Sequence, residues 1–405
     1  MRKNHLVMAL IIIILVTISV ARVSGTEAED TPYHDLFQIE FSYFADIYSN
    51  VSIPGFDIYK QAEENGTLYP LNSYNLLLNC YRTVLLYNVS EQIELVGNES
   101  ATETLLATVQ NNLSIVTSTV ENIVPRTLAS LEWLDLAKRE ITDAGEFLNQ
   151  SQQYYDENNY NVAIVYLVSS DSSIHKANGF ATLANLRNME NATFVDTSEL
   201  LFVVENVAPR WIDRVESIIN FYNNSGYVEQ LQYPKLILNE SKEFYTNGLY
   251  YISIMNAAYA QALVDYYIYE DLFSVNYSQT ISACRTYLNC SEITMDQIYS
   301  DPSIDAPFAE STIELAKLHL QDAENEETNT SAIALARLSI QESLIARQQA
   351  LAVLDLKTAI TEGVSEYTVP EDVVTEVDEQ MVEYLLLIII ILETIGLFVL
   401  LSKRK

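Results

Sequence analysis

The sequence predicts an all-α protein: an extracellular array of repeated helical hairpins and bundles, closed by one C-terminal transmembrane helix. Three observations carry that expectation. Glycine is scarce, 10 in 405 residues, and the prolines fall between apolar-periodic stretches. Strand-type alternation and hairpin-turn signals are nearly absent. A motif returns at a constant offset of 90 residues, as expected of units that bury their apolar faces by stacking.

The elements follow from spacing. From Leu128, apolar residues run Leu131, Leu134, Ala137, Ile141, Ala144, Leu148, which is one face of an α-helix. Ser331 is placed to cap a long helix whose apolar positions include Leu335, Leu338, Leu344, Ile345, Leu351 and Leu354. Pro125, Pro209 and Pro234 suit first-turn or linker positions. Asn247-Gly248, ahead of a tyrosine pair, suits a helix C-cap better than a hairpin turn.

The repeat matches Leu148, Asn149, Ser151, Tyr155, Tyr160 and Ile164 with Leu238, Asn239, Ser241, Tyr245, Tyr250 and Ile254. Tyr154 meets Phe244, and Ala163 meets Ser253. Each copy reads as a helix ending in an aromatic pair, a polar turn, and a Tyr-led helix with small residues. The small residues let the two helices approach closely, and the Tyr packs over the joint. This is similar in style to tetratricopeptide hairpins, but the spacing requires three or four helices per unit. A fainter copy begins at Tyr74-Asn75, and another lies around Ala323 to Leu335. The expected units are residues 26–125, 126–225 and 226–362.

Both ends read as membrane-directed. Residues 1–25 have a signal pattern: Arg2 and Lys3, an apolar run from Leu6 to Val20, then small residues. Cleavage and retention as a signal anchor both fit. Near the other end, Tyr384 to Leu401 is apolar apart from Glu393 and Thr394, within a transmembrane segment placed at 381–402. The basic tail 403–405 puts the C-terminus in the cytoplasm. The acidic segment 363–380, GVSEYTVPEDVVTEVDEQ, reads as a stalk. The expected location is the cell membrane, single-pass, with the ectodomain outside.

The ectodomain is strongly acidic. The whole chain holds 22 basic and 55 acidic residues, a surface that repels nucleic acid and anionic lipid. Asn-x-Ser/Thr sequons stand at Asn50, Asn65, Asn88, Asn98, Asn112, Asn149, Asn191, Asn223, Asn239, Asn276, Asn289 and Asn329. Twelve of 30 asparagines carry one, where chance predicts about four or five, so an exported, glycosylated surface is expected. Of the three cysteines, Cys284 and Cys290 would close a short disulfide loop, although Cys80 has the reach to pair with either.

Candidate chemistry is sparse. Tyrosines cluster at Tyr154/Tyr155, Tyr250/Tyr251 and Tyr266/Tyr267/Tyr269, either as an aromatic platform or as closers of helix joints. Glu393, at mid-membrane, is a candidate docking residue for a partner's membrane helix or a second copy of the chain. No catalytic, cofactor-binding or metal-binding motif is found, and no cofactor is expected.

The segment DAGEFLNQSQQYYDENNYNVAIVYL resembles the helical region behind the protease domain in archaeal exported Lon-like serine proteases, loosely over residues 35–360. The chain has no segment matching that protease domain, so no catalytic residue is carried over. The resemblance implies a stand-alone binding or accessory module and makes an archaeal source plausible. The expected function is therefore a non-enzymatic surface scaffold contacting proteins or peptides of the cell envelope. The alternative is an accessory subunit that recruits substrates to a membrane protease or transporter and docks through Glu393. A hydrolase is the third option.

Overall fold

A computed structural model describes residues 31–48, 54–66, 69–188, 195–270, 276–301, 303–326 and 328–362. The expected signal, stalk, transmembrane segment and tail lie outside them, as do Glu393, Asn50 and Asn191. Among the described residues there are twelve helices and no strand: α1 (Pro32–Ile47), α2 (Phe56–Asn65), α3 (Pro70–Val96), α4 (Asn98–Glu121), α5 (Leu128–Asp156), α6 (Tyr160–Arg187), α7 (Thr197–Asn224), α8 (Gln232–Thr246), α9 (Tyr250–Tyr269), α10 (Tyr277–Tyr299), α11 (Pro307–Asn325) and α12 (Asn329–Glu362). None of these is long and apolar enough to cross a membrane.

Helix starts show two kinds of local chemistry. Some helices cap themselves: Thr127 accepts from Ser130 N at the head of α5, and Asp196 and Asn276 do the same for α7 and α10. Others have no cap of their own and take a carboxylate from a distant helix. Glu314 on α11 accepts Leu71 N and Asn72 N at 3.0 and 2.8 Å, capping Pro-led α3. Asp135 on α5 accepts Tyr251 N at 3.3 Å at the head of α9. Glu132 on α5 accepts the amides of Asp305 and Ala306 at 3.0 and 3.1 Å, holding the turn into α11. A carboxyl oxygen placed there accepts the N–H groups that a helix start leaves without an intrahelical partner.

The two copies of the repeat form equivalent corners. In the α5–α6 corner Asn158 N donates to Tyr155 O and Asn159 N to Tyr154 O, both at 2.9 Å. In the α8–α9 corner Gly248 N donates to Tyr245 O at 3.1 Å and Leu249 N to Phe244 O at 2.9 Å. Asn158 and Gly248 both have positive φ, 59° and 76°, completing the same helix-ending motif. Tyr155 meets Tyr160, and Tyr245 meets Tyr250, with ring centroids 5.6 and 5.3 Å apart. The fainter copy at Tyr74 differs: Tyr74 lies inside α3, buried against Phe180, because the helix already begins at Pro70.

Small residues set the helix spacing. Ser170 Oγ donates to Ala144 O, Ser253 Oγ to Ser241 O, and Ser339 Oγ to Ala316 O, at 2.6–2.8 Å. The face of α12 shows the consequence. Ala332, Ala336, Ser339, Ile340 and Ser343 are buried, while Leu338, expected inward, is 44% exposed. Thr328 rather than Ser331 caps that helix, accepting from Ser331 N. Pro209 sits inside α7, not at a first turn, whereas Pro234 is in the first turn of α8 and Pro125 in a linker.

Two cores result. The first gathers Leu36, Phe44, Leu77, Trp133, Leu167 and Leu183 from α1–α6. The second gathers Leu200, Trp211, Ile254, Leu263, Ile340 and Val353 from α7–α12. The unit expected at 126–225 is thus divided: α5 and α6 pack into the first core and α7 into the second. The start of α5 joins the two, since Leu128 and Leu131 face the second core and Trp133 and Leu134 the first.

Candidate functional site

Helix α6 carries a polar run, Ser169 to Ser173 followed by Ile174, His175 and Lys176, on a helix otherwise made for burial. Asp171 and Ser172 of this run meet side chains of α3 and α4, and a cavity of about 220 Å³ opens there. Asp171 is its buried floor, 5% exposed. Tyr81 of α3 donates its hydroxyl to Asp171 Oδ2 at 2.5 Å, and Asn112 of α4 donates Nδ2 to Oδ1 at 3.1 Å. Ile115, Val116, Ile174 and Asn178 complete the wall.

The aromatic side is held from behind. His175 stacks on Tyr81 with ring centroids 4.1 Å apart, and its Nε2 lies 2.7 Å from Glu40 Oε1 on α1. Burial first, then the Asp171 carboxylate, pushes the Tyr81 phenol well above its ordinary range, so it stays protonated and donates. No lysine or arginine pairs with Asp171 among the described residues. Lys176 is paired with Glu140, and Arg82 Nε donates to Ser172 Oγ at 2.9 Å. The floor is therefore a buried carboxylate held by two neutral donors.

A second polar cluster lies where the two cores meet. Trp133 Nε1 and Arg187 Nε both donate to Asp305 Oδ2, at 2.7 and 2.6 Å, and Arg187 also pairs with Asp35. Glu132 is fully buried, and burial followed by the nearby Asp305 pushes its carboxyl up to about 8. Burial likewise raises Glu310 to about 8 and Glu314 to about 7. Glu132 Oε1 and the Tyr251 hydroxyl face each other without completing a sound hydrogen bond. Asp35 apart, these groups are buried where they join helices, so the open cleft is the better candidate for a ligand.

The sequon asparagines lie at the surface. Asn88, Asn98, Asn149, Asn239, Asn276, Asn289 and Asn329 are exposed, Asn65, Asn112 and Asn223 are partly covered, and none of these ten is buried. Asn112 is a special case, because the atom that would carry a glycan is the one donating to Asp171. Cys284 and Cys290 do not pair. They sit six residues apart on α10, a rise of about 9 Å, beyond disulfide reach, and all three cysteines are free. Cys284 Sγ instead donates to Ser339 Oγ at 3.0 Å. The tyrosine clusters serve packing at several points: Tyr251 and Tyr266 are buried, and Tyr154 stacks on Tyr166.

Sequence reasoning missed Tyr81, Asp171, His175 and Glu40. The signal was present in the repeat: at the offset of 90, Ser170 to Ile174 correspond to Ala260, Gln261, Ala262, Leu263 and Val264. A polar stretch replacing an apolar one at equivalent positions marks a face with another task. No protein-family model matches the chain, and no curated protein or solved structure is similar to it, so the resemblance drawn from the α5–α6 hairpin rests on those residues alone.

Proposed function

We propose that the chain is a membrane-anchored glycoprotein of the cell surface whose helical ectodomain is a non-enzymatic binding scaffold for proteins or peptides of the cell envelope. The observation that carries this reading is the placement of the sequons: ten described asparagines, none buried and seven exposed. Export is what would make such an excess useful. The hairpins α5–α6 and α8–α9 are read as the two clearest units of the array. The cleft supports a binding role through its inventory: a carboxylate, a phenol, an imidazole, two amides and three aliphatic side chains, a combination suited to recognition.

The test is mass spectrometry of the full-length protein purified in mild detergent from its membrane. Glycan mass on several of the seven exposed sequons, with Asn112 unmodified, is the expected result. A membrane-derived chain bare at every sequon would overturn the reading. The alternative role as an accessory subunit rests on Glu393 in the sequence, and the same sample reports on it as a stoichiometric membrane partner that is lost in Glu393→Leu.

A further inference from the structure

We propose that the cleft between α3, α4 and α6 binds the primary-ammonium end of an alkyl chain, with Asp171 as its counter-ion. The inference deepens the binding-scaffold reading and rests on it. It begins from charge. Asp171 is buried, paired to no cation, and bonded only to the neutral donors Tyr81 and Asn112. Glu40 stands 2.7 Å from His175 Nε2, so a proton on that ring is answered by Glu40 and Asp171 still has no cation of its own. A buried carboxylate gains most from a cation that also donates hydrogen bonds, and each Asp171 oxygen has a lone pair left for one.

Shape narrows the cation. A bare or hydrated metal ion needs several oxygen or nitrogen ligands, and among the described residues no three His, Cys, Asp or Glu side chains cluster to supply them. Three aliphatic side chains, Ile115, Val116 and Ile174, instead offer a surface to a hydrocarbon stem. A quaternary ammonium prefers a cage of open aromatic faces. Here one face of Tyr81 is already covered by His175 and its hydroxyl is committed to Asp171. A primary ammonium on a short alkyl chain fits both ends of the cleft: three N–H donors for Asp171 and the Asn112 and Asn178 carbonyl oxygens, and methylenes for the aliphatic wall. Free alkylamines and lysine side chains share that chemistry.

The experiment uses the full chain in detergent with isoleucine methyls isotope-labelled, and follows the Ile115 and Ile174 signals by NMR. The titrants are n-butylammonium chloride, Nα-acetyl-lysine N-methylamide and n-butyltrimethylammonium chloride, with potassium chloride at matched ionic strength as the control. Saturable shifts with the two primary ammonium probes, and binding about tenfold weaker for the quaternary one, are expected. Asp171→Asn, near-isosteric and still able to accept from Tyr81, should weaken binding by about tenfold or more. Ile115→Trp covers the mouth from an exposed rim position and should abolish it without disturbing a buried group. Tighter binding of the lysine derivative assigns the site to a protein side chain, and equal or weaker binding assigns it to a free amine. The proposal is overturned if neither primary ammonium shifts Ile115 and Ile174 saturably, if potassium chloride gives the same shifts, or if Asp171→Asn binds as well as the parent. Glycan occupancy is read separately, so a scaffold that is glycosylated yet blind to ammonium would fail this inference alone.

Discussion

Helices α6 and α9 leave identical corners and then diverge. Both begin after an aromatic pair and a positive-φ residue, and both carry a buried small residue in the first turn, Ala163 or Ser253. Along α6 the stripe Asn161, Val165, Ser169 is exposed or partly covered. Of its counterparts on α9, Tyr251 and Met255 are buried and Tyr259 is partly covered. The polar run at Asp171 opens a cleft, whereas the matching Gln261 is sealed at 0% exposure with both ends of its amide unpartnered. Corner geometry and helix contents are thus separable. The turn and the first small residue make the hairpin, and what packs on its outer face decides whether that face becomes core or cleft.

The two hairpins also meet each other, and the strongest test of the comparison acts there. Glu132 and Asp135 of α5 reach Tyr251 and the turn before α11, so the first hairpin is joined to the second half through buried carboxyls. Glu132 and Glu310 are raised from 4.5 to about 8 and Glu314 to about 7, in each case chiefly by burial. Between about 4.5 and 8 the folded chain therefore holds more protons than the unfolded one, and stability falls as pH rises through that window. The expected size is a loss of roughly 5–10 °C in Tm between pH 5 and pH 8, measured by circular dichroism. Net surface charge pushes in the same direction, so Glu132→Gln provides the discrimination. Its amide oxygen can still accept the Asp305 and Ala306 amides, and its NH₂ can donate to the Tyr251 hydroxyl. The variant should be more stable than the parent at pH 8 and show a shallower slope; an unchanged slope would mean that Glu132 does not titrate with folding.

A smaller effect separates the equivalent positions of α6 and α9. Gln261→Leu removes a buried amide with no partner and should stabilise the chain by about 1–2 kcal/mol. Asp171→Leu at the matching place strands the Tyr81 hydroxyl and the Asn112 amide and should destabilise it by about 1–3 kcal/mol. Urea midpoints at pH 6 measure both. Changes of the same sign would show that the two faces are not the opposites the packing describes.

How much of this was readable in the sequence follows from how local each cause is. The helical class, the face of α5 and the C-cap role of Gly248 depend on neighbours a few residues away, and spacing alone exposed them. The caps of α3, α9 and α11 did not show, because Glu314, Asp135 and Glu132 lie far along the chain from the amides they accept. On α12 the expected Leu344 and Ile345 are buried and Leu335 and Leu354 pack against the core, whereas Leu338 is exposed and the alanines and serines of the close helix contact, which carry little hydropathy signal, were not read. Cys284 and Cys290 looked pairable only until a continuous helix separated them. The cleft needed the repeat to be read for its differences as well as its matches, since Asp171 and His175 belong to no motif.

The smallest effect tests the corner itself. Gly248 has open space around its Cα, with nothing within 4 Å of an added Cβ, so a substitution there meets backbone strain and no clash. With φ at 76°, Gly248→Ala should cost about 1 kcal/mol. Gly248→Asn should cost about half that, because asparagine tolerates the left-handed region and the corner then becomes a copy of the first. At the first corner Asn158→Gly should stabilise by a few tenths of a kcal/mol. This ordering, read from urea midpoints of the three variants, requires the corners to be energetically equivalent as well as alike in their hydrogen bonds. Were Gly248→Ala neutral while Asn158→Ala proved costly, the first corner would be held by the Asn158 side chain, whose Oδ1 accepts from the Tyr160 hydroxyl at 2.9 Å, and the shared backbone motif would not be what closes both hairpins.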